Sequence, residues 1–119
     1  MLVLIVDDDQ EVRSVLIELV ELLGHSVMSA TNGKEGIELF EKNPNAFGVV
    51  FTDRRMSGMW GEEVVFKIKK ISPQTRIVLM SGDDPEEVLR VAKAAGADKI
   101  LHKPFKLEEF KQALSFNDE

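Results

Sequence analysis

Acidic, hydroxyl and lysine side chains stand directly after four of the short apolar runs in this chain. The polar residues that follow these runs are Asp7, Asp8 and Asp9, then Asp53, then Ser81, and last Lys103. Clustered carboxylates repel one another, so such a group needs a positive partner. A hard divalent cation such as Mg²⁺ prefers oxygen ligands, and a lysine supplies a second positive charge. These residue types predict a metal-assisted site, provided that the fold brings them together.

A carboxylate next to a divalent cation and a lysine can act as a nucleophile toward a phosphoryl donor. Both positive groups would neutralise charge on the three equatorial oxygens during transfer. Ser81 offers a hydroxyl donor to the phosphorylated product, and Gly82 would let a backbone amide approach closely. Each residue also has an ordinary structural reading, with Asp9 as a helix cap and Lys103 as a surface lysine. Only their joint placement favours a shared site.

Five apolar runs alternate with stretches that carry apolar residues at helical spacing. The runs predict strands at Leu2–Val6, Ser26–Ala30, Phe47–Thr52, Arg76–Met80 and Lys99–His102. Gly24, Asn32 and Pro85 mark predicted helix limits, as a stop, an N-cap and a first-turn residue. The alternation predicts an α/β fold with parallel strands and helices on both faces of one sheet. The carboxyl ends of the strands then share one edge, where the polar residues meet.

Length and composition limit the other classes of protein. The chain has 119 residues, which predicts a single domain over 1–119. It contains no cysteine, and this excludes disulfides and thiolate metal sites. The net charge of -6 disfavours direct binding to nucleic acid, which needs a basic surface. No apolar run approaches the roughly 20 residues of a membrane helix, so we expect a soluble, cytoplasmic protein without membrane contact.

Six segments, taken in order and spacing, resemble the receiver domain of two-component response regulators over essentially the whole chain. They are Leu4–Asp9, Val50–Asp53, Met56–Gly61, Leu79–Gly82, Ala95–Asp98 and Lys103–Phe105. The resemblance implies a flavodoxin-like three-layer fold with five helices and a sheet of order 2-1-3-4-5. It also implies a signalling switch that receives phosphate from a sensor histidine kinase or a histidine phosphotransfer protein. Such a switch is not an enzyme with an outside substrate, although it assists its own phosphorylation and dephosphorylation.

The resemblance also assigns roles by position. It implies that Asp53 is phosphorylated, that Lys103 contacts the phosphoryl group, and that Ser81 is a switch hydroxyl that moves toward it. It implies a Mg²⁺ site formed by Asp7, Asp8, Asp53 and the backbone carbonyl of Arg55, and a cis peptide between Lys103 and Pro104. In the family the first helix docks the phosphodonor, and here Val12, Val15 and Leu22 widen its apolar stripe. Ordinary core packing explains that stripe equally well.

Three positions depart from the family pattern. The loop after the acceptor reads Met56-Ser57 instead of Met-Pro, which leaves it less restrained. Ile100 occupies the position of the usual aromatic switch residue, so we expect the conformational change to centre on residues 81–85 and the helix that follows. Arg55 is bulky and cationic beside the phosphoryl position. We expect it to pair with Asp83 and to keep hydrolytic water away.

Two other classes of function remain open from the sequence. A flavodoxin-like enzyme or nucleotide-binding protein is disfavoured because the chain has no G-x-G-x-x-G fingerprint and no Walker lysine loop. A receiver-like interaction module without phosphate chemistry is disfavoured by the complete set of pocket residues. The regulated target is a partner or an output domain, and the chain is a monomer or a phosphorylation-dependent dimer. The short last helix and polar residues 117–119 leave open that the chain is cut from a longer protein.

Overall fold

A computed structural model describes residues 1–116 and shows five strands that alternate with five helices. The strands are β1 (Leu2–Val6), β2 (Ser26–Ala30), β3 (Phe47–Asp53), β4 (Arg76–Ser81) and β5 (Lys99–His102). The helices are α1 (Gln10–Leu22), α2 (Gly33–Lys42), α3 (Gly61–Ile71), α4 (Pro85–Ala95) and α5 (Leu107–Leu114). All strand pairs are parallel and the sheet order is β2-β1-β3-β4-β5. The predicted flavodoxin-like α/β fold is confirmed. Residues 117–119, whose polar character left open that the chain is cut from a longer protein, lie outside the residues that the structure describes.

The sheet separates two apolar cores, and this explains why its strands read as continuous apolar runs. Along β1, Leu4 and Val6 pack into the core beneath α2, α3 and α4, while Val3 and Ile5 face the other side. That other side is covered by α1 and α5. Because both faces of the central strands are buried, the polar side chains that follow these strands reach water at the edge of the sheet. Within residues 1–116, no helix is long and apolar enough to cross a bilayer.

The helix limits follow the capping chemistry that the sequence predicts. Asp9 caps α1, since its Oδ1 accepts hydrogen bonds from the amides of Glu11 and Val12 at 2.9 and 3.2 Å. Asn32 caps α2 in the same way, and Pro85 stands in the first turn of α4. The helix-cap reading of Asp9 is therefore the correct one.

Two strands run one residue further than predicted, and the extra residues are functional candidates. Asp53 pairs with Met80, and Ser81 pairs with His102, so ladder pairing continues to these positions. Gly61 then starts α3 directly against the end of β3. Its amide donates to the carbonyl of Arg54 at 2.7 Å, and a Cβ at this position would collide with the carbonyl oxygen of Asp53.

Candidate functional site

The ends of β1 and β3 bring three carboxylates together. One carboxylate oxygen from each of Asp7, Asp8 and Asp53 lies within 4.8 Å of the other two. Asp7 is fully buried, Asp53 is largely buried and Asp8 is exposed. The Asp7 carboxylate accepts a hydrogen bond from the amide of Asp9 at 2.9 Å, which fixes it at the pocket floor. Asp8 accepts one from the amide of Ser57 at 3.2 Å, so it also reaches the loop after β3.

Lys103 supplies the positive charge that this acidic group needs. Its Nζ lies 3.0 Å from Oδ1 of Asp53 and 3.3 Å from Oδ2 of Asp7. The backbone holds it in place, because the Lys103 amide donates to the carbonyl of Ser81 at 2.8 Å. The peptide between Lys103 and Pro104 is cis, as the resemblance implied. The lysine therefore bridges the buried carboxylate and the candidate acceptor.

Burial and charge shift the pKa values of Asp53 and Lys103. Burial raises the pKa of Asp53, and the nearby charge of Asp7 raises it further, while Lys103 opposes both. Burial lowers the pKa of Lys103, but the carboxylates of Asp53 and Asp7 outweigh it and leave the pKa above its usual value. The lysine is thus a stable cation at neutral pH. Asp53 carries a charge that its surroundings compensate only partly.

The carboxylates suit a hard divalent cation. All three offer oxygen ligands, and Asp8 is open to solvent on one side, so a metal can keep some of its water. Removing the repulsion between close carboxylates is the benefit that a dication brings to such a site. Within residues 1–116 no second group of three potential ligands comes together in this way. The donor set therefore fits Mg²⁺.

Ser81 lies at the pocket but is bonded to Asp83. Its hydroxyl donates to Oδ2 of Asp83 at 3.2 Å and accepts from the Asp83 amide at 3.0 Å. The side chain is buried. A Cβ at Gly82 would lie 3.6 Å from the carbonyl oxygen of Lys103, which is an ordinary contact. The protein's own atoms therefore do not require a glycine at this position.

The predicted ion pair between Arg55 and Asp83 is present. Nε of Arg55 donates to Oδ1 and Oδ2 of Asp83 at 2.7 and 2.9 Å, and the Arg55 side chain is 64% exposed. Hydrogen bonds from Arg55 first, and then from Arg54 and Ser81, lower the pKa of Asp83. The pair joins the segment that follows β3 to the segment that follows β4.

A second arginine was missed at the sequence level. Arg54 is buried and pairs with Glu62 on α3, with Asp83, and with Glu87 on α4, at 3.2, 2.9 and 2.9 Å. Its guanidinium lies 4.9 Å from the centre of the Trp60 ring, and that of Arg55 lies 5.2 Å from it. The available signal was an arginine directly after a buried strand, together with acidic residues in the first turns of the next two helices. A buried arginine requires such partners.

Comparison with known proteins decides the family. A model of the response regulator receiver domain matches residues 3–115. The chain belongs to this family. It is similar to the chemotaxis protein CheY of Thermotoga maritima, with 33% identity over 95% of this chain and 93% of that protein. It is also similar to a cyclic di-GMP phosphodiesterase of the same organism, with 36% identity over 91% of this chain but only 28% of that protein.

The solved structures agree with this placement. The response regulator TrrA from Thermotoga maritima, solved in complex with Mg²⁺ and BeF, superimposes with a TM-score of 0.85 and 26% identity, over 95% of each chain. As a receiver domain, this chain is a phosphorylation-dependent signalling switch. Receiver domains are phospho-acceptor regulators that bind Mg²⁺ at their acidic pocket. The fold, the sheet order and the clustered carboxylates of this chain agree with its membership of this family.

Proposed function

We propose that Asp53 accepts a phosphoryl group from the phosphohistidine of a sensor histidine kinase or a histidine phosphotransfer protein. The observation that carries this proposal is the contact of 3.0 Å between Lys103 and Asp53, in a pocket that also holds Asp7 and Asp8. An oxygen of Asp53 attacks phosphorus and a P–O bond forms while the P–N bond breaks. The electron pair leaves on the imidazole nitrogen of the donor.

The other pocket residues prepare and then stabilise this transfer. Asp7, Asp8, Asp53 and the backbone carbonyl of Arg55 would hold Mg²⁺. A bound Mg²⁺ would neutralise charge on the phosphoryl oxygens. Lys103 remains beside Asp53 and provides a second positive group for the product. Ser81 donates its hydroxyl to the product once it leaves Asp83, and this change of partner is the switch.

The surface of α1 suits the phosphodonor. Val15 and Leu22 are exposed, and an apolar groove lies beside Lys103 between α1 and the segment after β5. Its apolar lining includes Val12, Val15, Pro104 and Phe105. The groove opens next to the pocket, where a donor histidine must approach.

We assign the receiver to residues 1–119, and place its action in the cytoplasm on an output domain or a separate protein.

Intact-mass measurement after incubation with Mg²⁺ and acetyl phosphate tests the proposal. We expect the wild-type chain to gain one phosphoryl group and Asp53→Asn to gain none. Asp9→Asn is the matched control, because asparagine also caps helices and the variant removes a nearby carboxylate. It should label like the wild type. Undiminished labelling of Asp53→Asn would overturn the assignment, and absence of labelling in the wild type would favour an interaction module without phosphate chemistry.

A further inference from the structure

Ile100 stands where the family carries an aromatic residue, and it is half-buried against the core beneath α2, α3 and α4. An isoleucine has no ring to exchange between buried and exposed positions. Any connection from Ser81 to the helices therefore uses other side chains.

A set of charged side chains lies in the required place. We call it the Arg54 cluster, and its members are Arg54, Glu62, Asp83 and Glu87. Arg54 follows the acceptor directly, and its backbone amide donates to the carbonyl of Met80 at 2.8 Å. Its side chain, only 5% exposed, reaches α3 through Glu62 and α4 through Glu87.

One oxygen atom links this cluster to the switch hydroxyl. Oδ2 of Asp83 accepts hydrogen bonds from Ser81 at 3.2 Å, from Arg54 at 2.9 Å and from Arg55 at 2.9 Å. A change at any one of these donors alters the other two contacts, because all three share the same oxygen. Asp83 therefore connects the pocket to Arg54.

We infer, given phosphorylation of Asp53 as proposed, that the Arg54 cluster carries the signal from Ser81 to α4. When the Ser81 hydroxyl turns to the phosphoryl group, Asp83 loses one donor. Asp83 then keeps only its two arginine donors, and the guanidinium of Arg54 shifts its bonding among its three acidic partners.

The low exposure of Arg54 makes this response concerted. An uncompensated buried charge is strongly unfavourable, so the cluster exchanges partners as a unit and leaves no member unpaired. Glu87 lies in the first turn of α4, three residues after the cap Asp84, whose carboxylate accepts a hydrogen bond from the Glu87 amide. A change in the ion pair between Arg54 and Glu87 therefore acts on the start of α4 and on its cap.

Amide chemical shifts of the full chain, measured with Mg²⁺ and beryllofluoride, test the inference. In the wild type we expect changes in the pocket, in residues 81–85 and along α4. Glu87→Gln should keep the changes in the pocket but reduce those along α4 by about twofold or more, since charge-assisted hydrogen bonds are roughly twice as strong as neutral ones. The control variant Glu86→Gln, on the same turn of α4 but outside the Arg54 cluster, should keep the wild-type response of α4.

The outcomes separate this inference from the proposed function. A wild-type response along α4 in Glu87→Gln, with normal changes in the pocket, would overturn the role of the cluster alone. An equal loss of the α4 response in Glu86→Gln would also overturn it, because that result would reflect helix charge in general. Unchanged shifts around Asp53 and Lys103 in the wild type would overturn both proposals.

Discussion

The Ser81 hydroxyl donates a hydrogen bond to Oδ2 of Asp83 at 3.2 Å, and Oδ1 of the same carboxylate accepts one from Nε of Arg55 at 2.7 Å. Ser81, the proposed switch residue, is therefore hydrogen-bonded to Asp83 while Asp53 pairs with Lys103. Phosphorylation has to shift a balance between two partners of Ser81, and it can do so only through its stronger contact in one of the two states.

The Arg55–Asp83 pair predicts a long-lived phosphoryl group. We propose that the pair covers the approach of water to an aspartyl phosphate at Asp53, so Arg55→Ala should shorten the phosphoryl half-life several-fold. An exposed pair contributes only about 0–1 kcal/mol to folding, so stability should hardly change. Decay of labelled protein, followed by mass after removal of the donor, measures the half-life.

Two further variants complete this test. Asp83→Ala should shorten the half-life in the same direction, whereas Arg90→Ala, which removes an exposed arginine of α4, should leave it unchanged. A longer or unchanged half-life in Arg55→Ala would refute shielding. A longer one would instead indicate that the guanidinium assists hydrolysis by stabilising the charge of its transition state.

The raised pKa of Asp53 predicts that the metal-free pocket lowers stability. A carboxyl with a pKa above its unfolded value favours the protonated folded state. Its unfavourable contribution is absent below the ordinary value near 3.8 and grows as pH rises through the raised pKa. Asp53→Asn should therefore increase the free energy of unfolding at pH 7. The gain should disappear at low pH.

Chemical denaturation in the presence of EDTA, at pH 7 and at pH 3, measures this difference between the two proteins. Addition of Mg²⁺ should reduce or reverse it, because the metal binds only the wild-type pocket. A metal-free Asp53→Asn protein that is less stable than the wild type at pH 7 would show that the Lys103 contact outweighs burial and repulsion.

Magnesium binding should be visible through Trp60. The ring lies against Arg54 and Arg55, in the loop that would supply the carbonyl ligand, so metal binding should change its fluorescence. Asp8→Ala should remove both the fluorescence change and the heat of binding, since Asp8 is an exposed member of the carboxylate group. Asp9→Asn should keep both. Equal Mg²⁺ affinity in Asp8→Ala would place the metal elsewhere.

The α1 groove predicts a difference between protein and small-molecule donors. Val15→Lys puts a charge on an exposed apolar position, 54% accessible, so phosphotransfer from a phosphorylated histidine protein should slow by about tenfold. Labelling by acetyl phosphate should be unaffected, because that donor needs no docking surface. Ser14→Lys adds the same charge at the neighbouring position and serves as control. Equal effects of Val15→Lys on both donors would argue against docking at this groove.

The sequence predicted the elements well and the charge network poorly, for different physical reasons. Apolar runs and caps such as Asn32 are local signals, so the strands and helix starts followed from them. The sheet order came from the family resemblance. Ladder pairing extended β3 to Asp53 and β4 to Ser81, which composition could not reveal.

The contacts of Arg54 and the partner of Ser81 were beyond sequence reasoning. Arg54 lies past the last residue of β3, where strand alternation no longer fixes the direction of a side chain. The hydroxyl of Ser81 rotates to suit its surroundings, so its choice of Asp83 depends on the loop that follows. The Arg55–Asp83 pair was predictable because both residues stand two positions beyond strand ends that share an edge.

The most direct test of the account locates the phosphate on the chain. The protein is labelled with acetyl phosphate and Mg²⁺, reduced with borohydride, digested and sequenced by tandem mass spectrometry. Borohydride converts an aspartyl phosphate to homoserine, so the account predicts homoserine at the position of Asp53 and unmodified aspartates at positions 7 and 8. Homoserine at another aspartate, with Asp53 unmodified, would contradict it.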